Sequence, residues 1–208
     1  MAVATAPIQV HRALPPEEAA RGDFYALFAR LLHGGADDGL LRALANADRI
    51  PDGGNPDLGA AWDALSQAAS VMDADAAAEE FHALFAGIGK AAVSIYAGYY
   101  GGAMAIDHPR VRLQADFAAF GLERREQTEP EDHFATLFDV MRVLVAGGAG
   151  RSPAPLAEQR RFFEAYLETA ALKFFKALIA AGQANLYRKV AELGLAFIAI
   201  ELESFELD

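Results

Sequence analysis

The 208-residue chain contains no cysteine, which excludes disulfides, cysteine-ligated zinc, iron–sulfur ligation by this chain and thiol nucleophiles. Positive charge is also scarce, with 18 Lys+Arg against 29 Asp+Glu and a formal net charge of −11. Nucleic acids are held mainly by neutralising their phosphates, and no basic patch interleaved with aromatics is present. That class of partner is excluded, and a cationic ligand suits the balance better. No run approaches the roughly 20 consecutive apolar residues that cross a bilayer. The longest strongly apolar stretch, Leu193 to Ile200, is closed by Glu192 and Glu201. Met1 to Val10 lacks the basic start and continuous apolar stretch of a secretory signal. The expectation is a soluble chain that stays in the cytoplasm.

Alanine is abundant: the 53% hydrophobic fraction includes 46 alanines, a composition that favours helix. The remaining larger apolar residues suffice for a sizeable core in a fold with a radius of gyration of roughly 17 Å. Pro15-Pro16-Glu17-Glu18 opens a helical pattern in which Phe24, Leu27, Phe28, Leu31 and Leu32 share one face until Gly34-Gly35. Asp37-Asp38 starts a shorter helix, and two more span Leu58 to Phe85 with a break near Met72-Asp73. Further helices are expected from Asp107 to Gly121, from Thr128 to Gly147, from about Pro155 to Ala181 and from about Gln183 to Leu202. No repeat and no sustained alternation of apolar and polar residues appears. The sequence predicts an all-α, single-domain helical bundle over 1–208, with 1–14 as a flexible lead-in and 147–155 as a hinge-like connection before the C-terminal helices.

Two segments stand apart. Gly87 to Gly102 holds five glycines, Tyr96, Tyr99 and Tyr100, and a single charge at Lys90, without helical periodicity. It reads either as a loop packed over the core or as a tyrosine-lined surface for an apolar peptide. Glu123 to His133 is the densest polar cluster. Thr128 with Glu131 three positions on forms a capping box, and Glu129 and Asp132 complement the dipole of the following helix. The same acids, with His133, would also suit a ligand carrying positive charge.

Enzymatic signatures are weak. The five histidines show no H-E-x-x-H pair, so a metal or hydrolytic site would need His133 and Asp132 to converge with Asp107 or His108. Gly87-Ile88-Gly89-Lys90 fails as a phosphate loop, because Leu84 stands where the first glycine belongs and Ala91 where Ser or Thr belongs. Dinucleotide fingerprints and G-x-S-x-G elbows are absent.

Glu129-Pro130-Glu131-Asp132-His133 resembles the E-P-x-D-H core of the TorD/DmsD/NarJ-like family of redox-enzyme maturation chaperones. Other stretches agree in order: Arg21 to Ala29 with the family's first helix, Glu80 to Gly87 followed by Ser94-Ile95-Tyr96 with its central LF-x-G and S-x-Y stretch, and Phe162-Phe163 through Phe174 and Tyr187 with its C-terminal helices. The similarity spans about residues 20 to 200. Departures are Arg125 where the family's longer motif has a glutamate, Ala91-Ala92 in place of prolines, and Tyr166 and Ala170 where histidine and tryptophan are frequent.

The resemblance implies a TorD/DmsD-like helical fold without enzymatic activity or cofactor. It implies a cytoplasmic chaperone that binds the twin-arginine signal peptide of an apo molybdopterin-containing oxidoreductase and holds it back from export. By position it assigns peptide binding to Asp132 and His133, framed by Glu129 and Pro130, with Ser94, Tyr96 and Tyr99 opposite. A monomer or a helix-exchanged dimer is expected, with neither nucleic acid nor a membrane as partner. The competing readings are a small metal- or His/Asp-dependent hydrolase and a non-catalytic helical adaptor.

Overall fold

Several helices begin where a short polar side chain takes up the unpaired N–H groups of a first turn. Asp37 accepts from Leu40 N at 2.8 Å, Asn55 from Asp57 N at 2.9 Å, and Asp73 from Asp75 N at 2.9 Å. The first helix instead opens on Pro16, whose missing N–H and fixed φ suit that position. The computed structural model describes residues 14–51, 55–86, 91–101, 109–122, 129–148 and 151–206. The expected flexible lead-in up to residue 13, the Gly87 to Lys90 motif, Asp107, His108 and Thr128 lie outside them.

In order come α1 (Pro16–Gly34), α2 (Asp38–Ala45), α3 (Pro56–Val71), α4 (Ala74–Phe85), a 3-10 turn (Ala97–Tyr100), α5 (Pro109–Ala119), α6 (Phe134–Ala146), α7 (Leu156–Tyr166), α8 (Glu168–Ala180) and α9 (Leu186–Glu206). Among the described residues there is no strand, and the fold is all-α.

α1 and α6 form the central pair. They approach closely enough that a Cβ on Gly22 would lie 3.0 Å from the Ala146 Cβ. Phe28 of α1 is the hub of the core, with ring centroids 5.4 Å from Phe138 (α6), 5.7 Å from Phe175 (α8) and 5.7 Å from Phe197 (α9). Behind it α8 packs on α9, where Gly194 gives its place to the Phe175 ring: a Cβ there would sit 2.4 Å from Phe175 Cζ. α3 covers the other side of α9, and α2 is pinned to α3 by Ser66 Oγ donating to Leu44 O at 2.9 Å.

Two expectations are corrected. The helix assigned to start at Thr128 begins at Phe134, because the backbone on either side of His133 pairs with another segment and is held extended at φ −70°, ψ 133°. Pro130 to Asp132 forms a turn instead, so Glu131 has no place in a capping box. The helix expected from 155 to 181 bends at Leu167 (φ −112°, ψ −45°), although no proline or glycine marks the spot. The bend lets α7 lie against α6 while α8 turns onto α9. Glu201, the residue that closes the apolar stretch Leu193 to Ile200, lies inside the fold. It is 0% exposed.

Glu201 accepts from Arg21 Nε at 2.7 Å and Nη2 at 2.9 Å, and from the Tyr25 hydroxyl at 2.6 Å, tying α1 to α9. Burial and the adjacent Glu201 carboxylate hold the Tyr25 phenol well above its usual pKa, so it stays a donor. A buried carboxylate stripped of its cation keeps its desolvation cost without the compensating attraction. Arg21→Met should therefore lower stability by about 3–5 kcal/mol in urea denaturation. Adding Glu201→Leu should restore much of the loss, because the pair is then replaced by apolar contact. Gly194→Ala should also destabilise, by about 1–2 kcal/mol, since the clash with Phe175 outweighs the gain in helix propensity. A raised denaturation midpoint for Gly194→Ala would contradict that packing.

Candidate functional site

The glycine-rich segment meets the E-P-x-D-H stretch through the backbone. Ala97 N donates to Asp132 O at 2.8 Å and Phe134 N to Ile95 O at 3.1 Å, an antiparallel bridge between Tyr96 and His133. Residues 37 apart in sequence thus become neighbours, and Ser94, Tyr96, Asp132 and His133 are brought together.

The chain after the bridge closes into the 3-10 turn. Tyr100 points inward, with its ring 5.9 Å from Phe134 and 6.0 Å from Phe174, and its hydroxyl donates to Ser94 O at 2.8 Å. Burial pushes its pKa up, so the hydroxyl remains protonated. The Phe134 and Phe174 rings stack at 4.3 Å beneath it. At the end of the turn Lys173 of α8 donates to Tyr100 O at 3.0 Å, and Gly101 takes a φ of 79° that other residues rarely adopt. With Tyr100 fixed, Tyr96 and Tyr99 face outward, 39% and 67% exposed.

The acidic side of the site is layered. Asp132 and His133 are buried at 7% and 4% exposure, whereas Glu129 and Pro130 are half-buried. The Asp132 carboxylate lies against the turn, with Oδ2 3.1 Å from where a Cβ on Gly98 would stand. Glu131 is buried and accepts from Gln114 Nε2 of α5 at 2.8 Å. His133 caps α6: its Nδ1 accepts from Ala135 N at 3.1 Å, which leaves the imidazole proton on Nε2. The Tyr96 ring meets the imidazole edge-on at 5.4 Å. Burial pushes the His133 pKa down to about 4, against the pull of Glu129 and with a small contribution from His33. The imidazole is therefore neutral at pH 7.

Two residues that frame the site, and one that caps α9, carry no local signal. Lys173 and Gln114 are ordinary polar positions on exposed or half-exposed helix faces, and they meet their partners 73 and 17 residues away. Glu80 of α4 is buried and accepts from the backbone N–H groups of Asn185, Leu186 and Tyr187 at 2.8, 3.1 and 2.8 Å, capping α9 from 105–107 residues away. Its place within Glu80-Phe81-His82 was visible, but its role was not.

Among the described residues no group of three His, Cys, Asp or Glu is arranged to hold a metal ion. An open groove of about 480 Å³ lies between α3 and α9, lined mainly by alanines with Asp57 and Glu192 at its margin, and it shares no residue with the tyrosine surface. A family model described as nitrate reductase delta subunit matches residues 52–176, which take in both halves of the bridge. No curated protein is significantly similar to the chain.

The depressed pKa of His133 fixes the sign of an acid effect. Below the unfolded value of about 6.5 the unfolded chain binds a proton that the folded chain refuses until about pH 4, so stability is lost as pH falls through that window. Between pH 7 and pH 5 the loss attributable to His133 should be about 1.5–2 kcal/mol. His133→Asn keeps a capping oxygen but does not titrate. Urea denaturation of this variant at both pH values should show a correspondingly smaller loss than the parent; an equal loss would mean that His133 is not the titrating group.

Proposed function

The chain belongs to the nitrate reductase delta subunit family, the NarJ/TorD-type chaperones of redox-enzyme maturation, and from that premise we propose that it binds the twin-arginine leader of its client at the surface formed by Tyr96, Tyr99 and the acidic turn. The family is non-catalytic, and its members engage a molybdoenzyme subunit during maturation. On this reading the client is a molybdopterin-containing oxidoreductase, the encounter takes place in the cytoplasm, and the leader is shielded while the enzyme matures.

The observation that carries the reading is the exposure of two tyrosines beside an acidic turn to which their segment is hydrogen-bonded. A twin-arginine leader offers two guanidinium groups next to an apolar run. Glu129, a half-buried residue, would meet the first, and the tyrosine faces suit the second or stack on a guanidinium. Ser94 and Pro130, both half-buried, complete the wall and the frame. Asp132 and His133 act from below: one supports the turn, and the other fixes the start of α6 and backs the Tyr96 ring. The net charge of −11 adds a general attraction for a basic peptide.

Calorimetric titration with leader peptides from the exported redox enzymes encoded nearby should give binding that weakens with added salt, because part of the attraction is between exposed charges. Tyr99→Ala should weaken it about 5-fold, and Glu129→Gln about 2- to 3-fold with a shallower salt dependence. Neither change should alter the thermal midpoint appreciably, as neither side chain is buried. Absence of binding at low salt by every such leader would refute the proposal.

A further inference from the structure

Opposite charges stand at the two ends of the tyrosine surface. Glu129 lies on the side of the bridge, where its carboxylate acts on His133, and no described cation is ion-paired with it. Lys173 lies at the far end of the 3-10 turn. It is exposed, spends one donor on Tyr100 O at 3.0 Å, and has no described carboxylate as a salt-bridge partner. An ammonium has three donors, so two remain directed at solvent. Many other described cations are paired: Arg21 with Glu201, Arg142 with Asp139, Arg160 with Glu164, Arg161 with Asp116 and Lys189 with Glu192. In a chain with so large an excess of acid, an ammonium without a carboxylate beside an exposed tyrosine pair is a distinctive feature.

Resting on the peptide-binding reading above, we infer that Lys173 is a specificity-determining residue, which makes the surface read the order of charges along the bound peptide. A cationic end is accepted at Glu129, apolar residues cross Tyr96 and Tyr99, and the end that reaches Lys173 must be neutral or, better, carry a carboxylate. A second cationic cluster at that end meets a like charge and is rejected. The occupant is therefore a client segment in which an arginine pair, a short apolar stretch and an acidic or uncharged residue follow one another.

The dimensions set the length of that stretch. The four residues of the turn, at about 2 Å of rise each, cover about 8 Å between the bridge and Lys173. An extended peptide advances about 3.3 Å per residue, so about three to five residues separate its two charged ends once the flanking side chains are counted. The overall acidity of the protein works in the other direction. General attraction alone would favour the most basic peptide whatever the placement of its charges.

The opposed expectations allow a direct test with three synthetic peptides that share an Arg-Arg start and a four-residue apolar stretch, and end in Glu-Glu, Gln-Gln or Arg-Arg. The parent protein should bind the Glu-Glu peptide about 2- to 5-fold more tightly than the Gln-Gln peptide, and the Arg-Arg peptide more weakly than either. Lys173→Glu should invert that order, and Lys173→Gln should flatten the dependence on the final pair toward the general preference for basic peptides. Thermal midpoints of both variants separate the loss of the Tyr100 contact from the change in charge; if Lys173→Glu does not fold, the Gln variant carries the comparison. Tightest binding of the parent to the Arg-Arg-ended peptide, or an unchanged order in the folded variants, overturns the role of Lys173 and leaves leader binding standing. Failure of all three peptides to bind the parent overturns both.

Discussion

Two backbone hydrogen bonds, from Ala97 N to Asp132 O and from Phe134 N to Ile95 O, are the constraint on which the arrangement of the site depends. They hold His133 extended, and an extended His133 cannot also lie inside a helix. α6 must therefore begin at Phe134, and the side chain that takes up its unpaired N–H is the imidazole of His133. On the other side of the bridge the chain has only a few residues before it must leave the core, and it closes as a 3-10 turn. Tyr100 is driven inward against Phe134 and Phe174, and the spacing of the turn then leaves Tyr96 and Tyr99 outside. The surface proposed to meet a peptide is the outer side of a contact whose inner side is core.

Acidic residues serve several purposes in this chain, and the net charge of −11 conceals them. Glu201 is buried between α1 and α9, where a bidentate arginine and a tyrosine hydroxyl compensate its desolvation. Glu80 is buried at the start of α9, where three backbone N–H groups and the helix dipole do the same. Glu131 is bound into α5 through Gln114. These carboxylates position helices and are withdrawn from any ligand. Glu129 differs because it is half-exposed and is directed toward neutral His133 without a described cation, so its field reaches the surface. Position, more than number of acids, decides what the charge can do.

The legibility of the sequence follows the range of the interactions. Helix starts with a local cap, Asp37, Asn55 and Asp73, and helix faces such as Phe28, Leu31 and Leu32 could be read directly, because both partners lie within a few residues. The burial of Glu201, the reach of Glu80 and the clamp by Lys173 depend on partners 180, 105–107 and 73 residues away, and no local pattern announces them. The Glu129 to His133 stretch is an instructive middle case. Its composition fits a capping box so well that local reasoning extends the helix through it, whereas the tertiary bridge overrides that preference. The motif marks a place where two distant segments meet, but its capping-box explanation fails because α6 begins only at Phe134.

The burial of Asp132 and His133 suits a binding site of the proposed kind better than exposure would. A peptide that docks on flexible tyrosines must order them first, at about 0.5–1.5 kcal/mol for each immobilised side chain, and a mobile glycine-rich backbone would add to that. Here the turn is fixed before any ligand arrives, by the bridge at its start, the Asp132 carboxylate against Gly98, the Tyr100 ring in the core and the Lys173 ammonium at its end. His133 extends the effect to the Tyr96 ring and stays uncharged at neutral pH, so it adds no repulsion toward an approaching guanidinium. The buried pair supplies rigidity, while charge and aromatic surface are supplied by half-exposed and exposed neighbours. That division of labour gives a chaperone of this family a reason to bury the polar residues of its most distinctive motif.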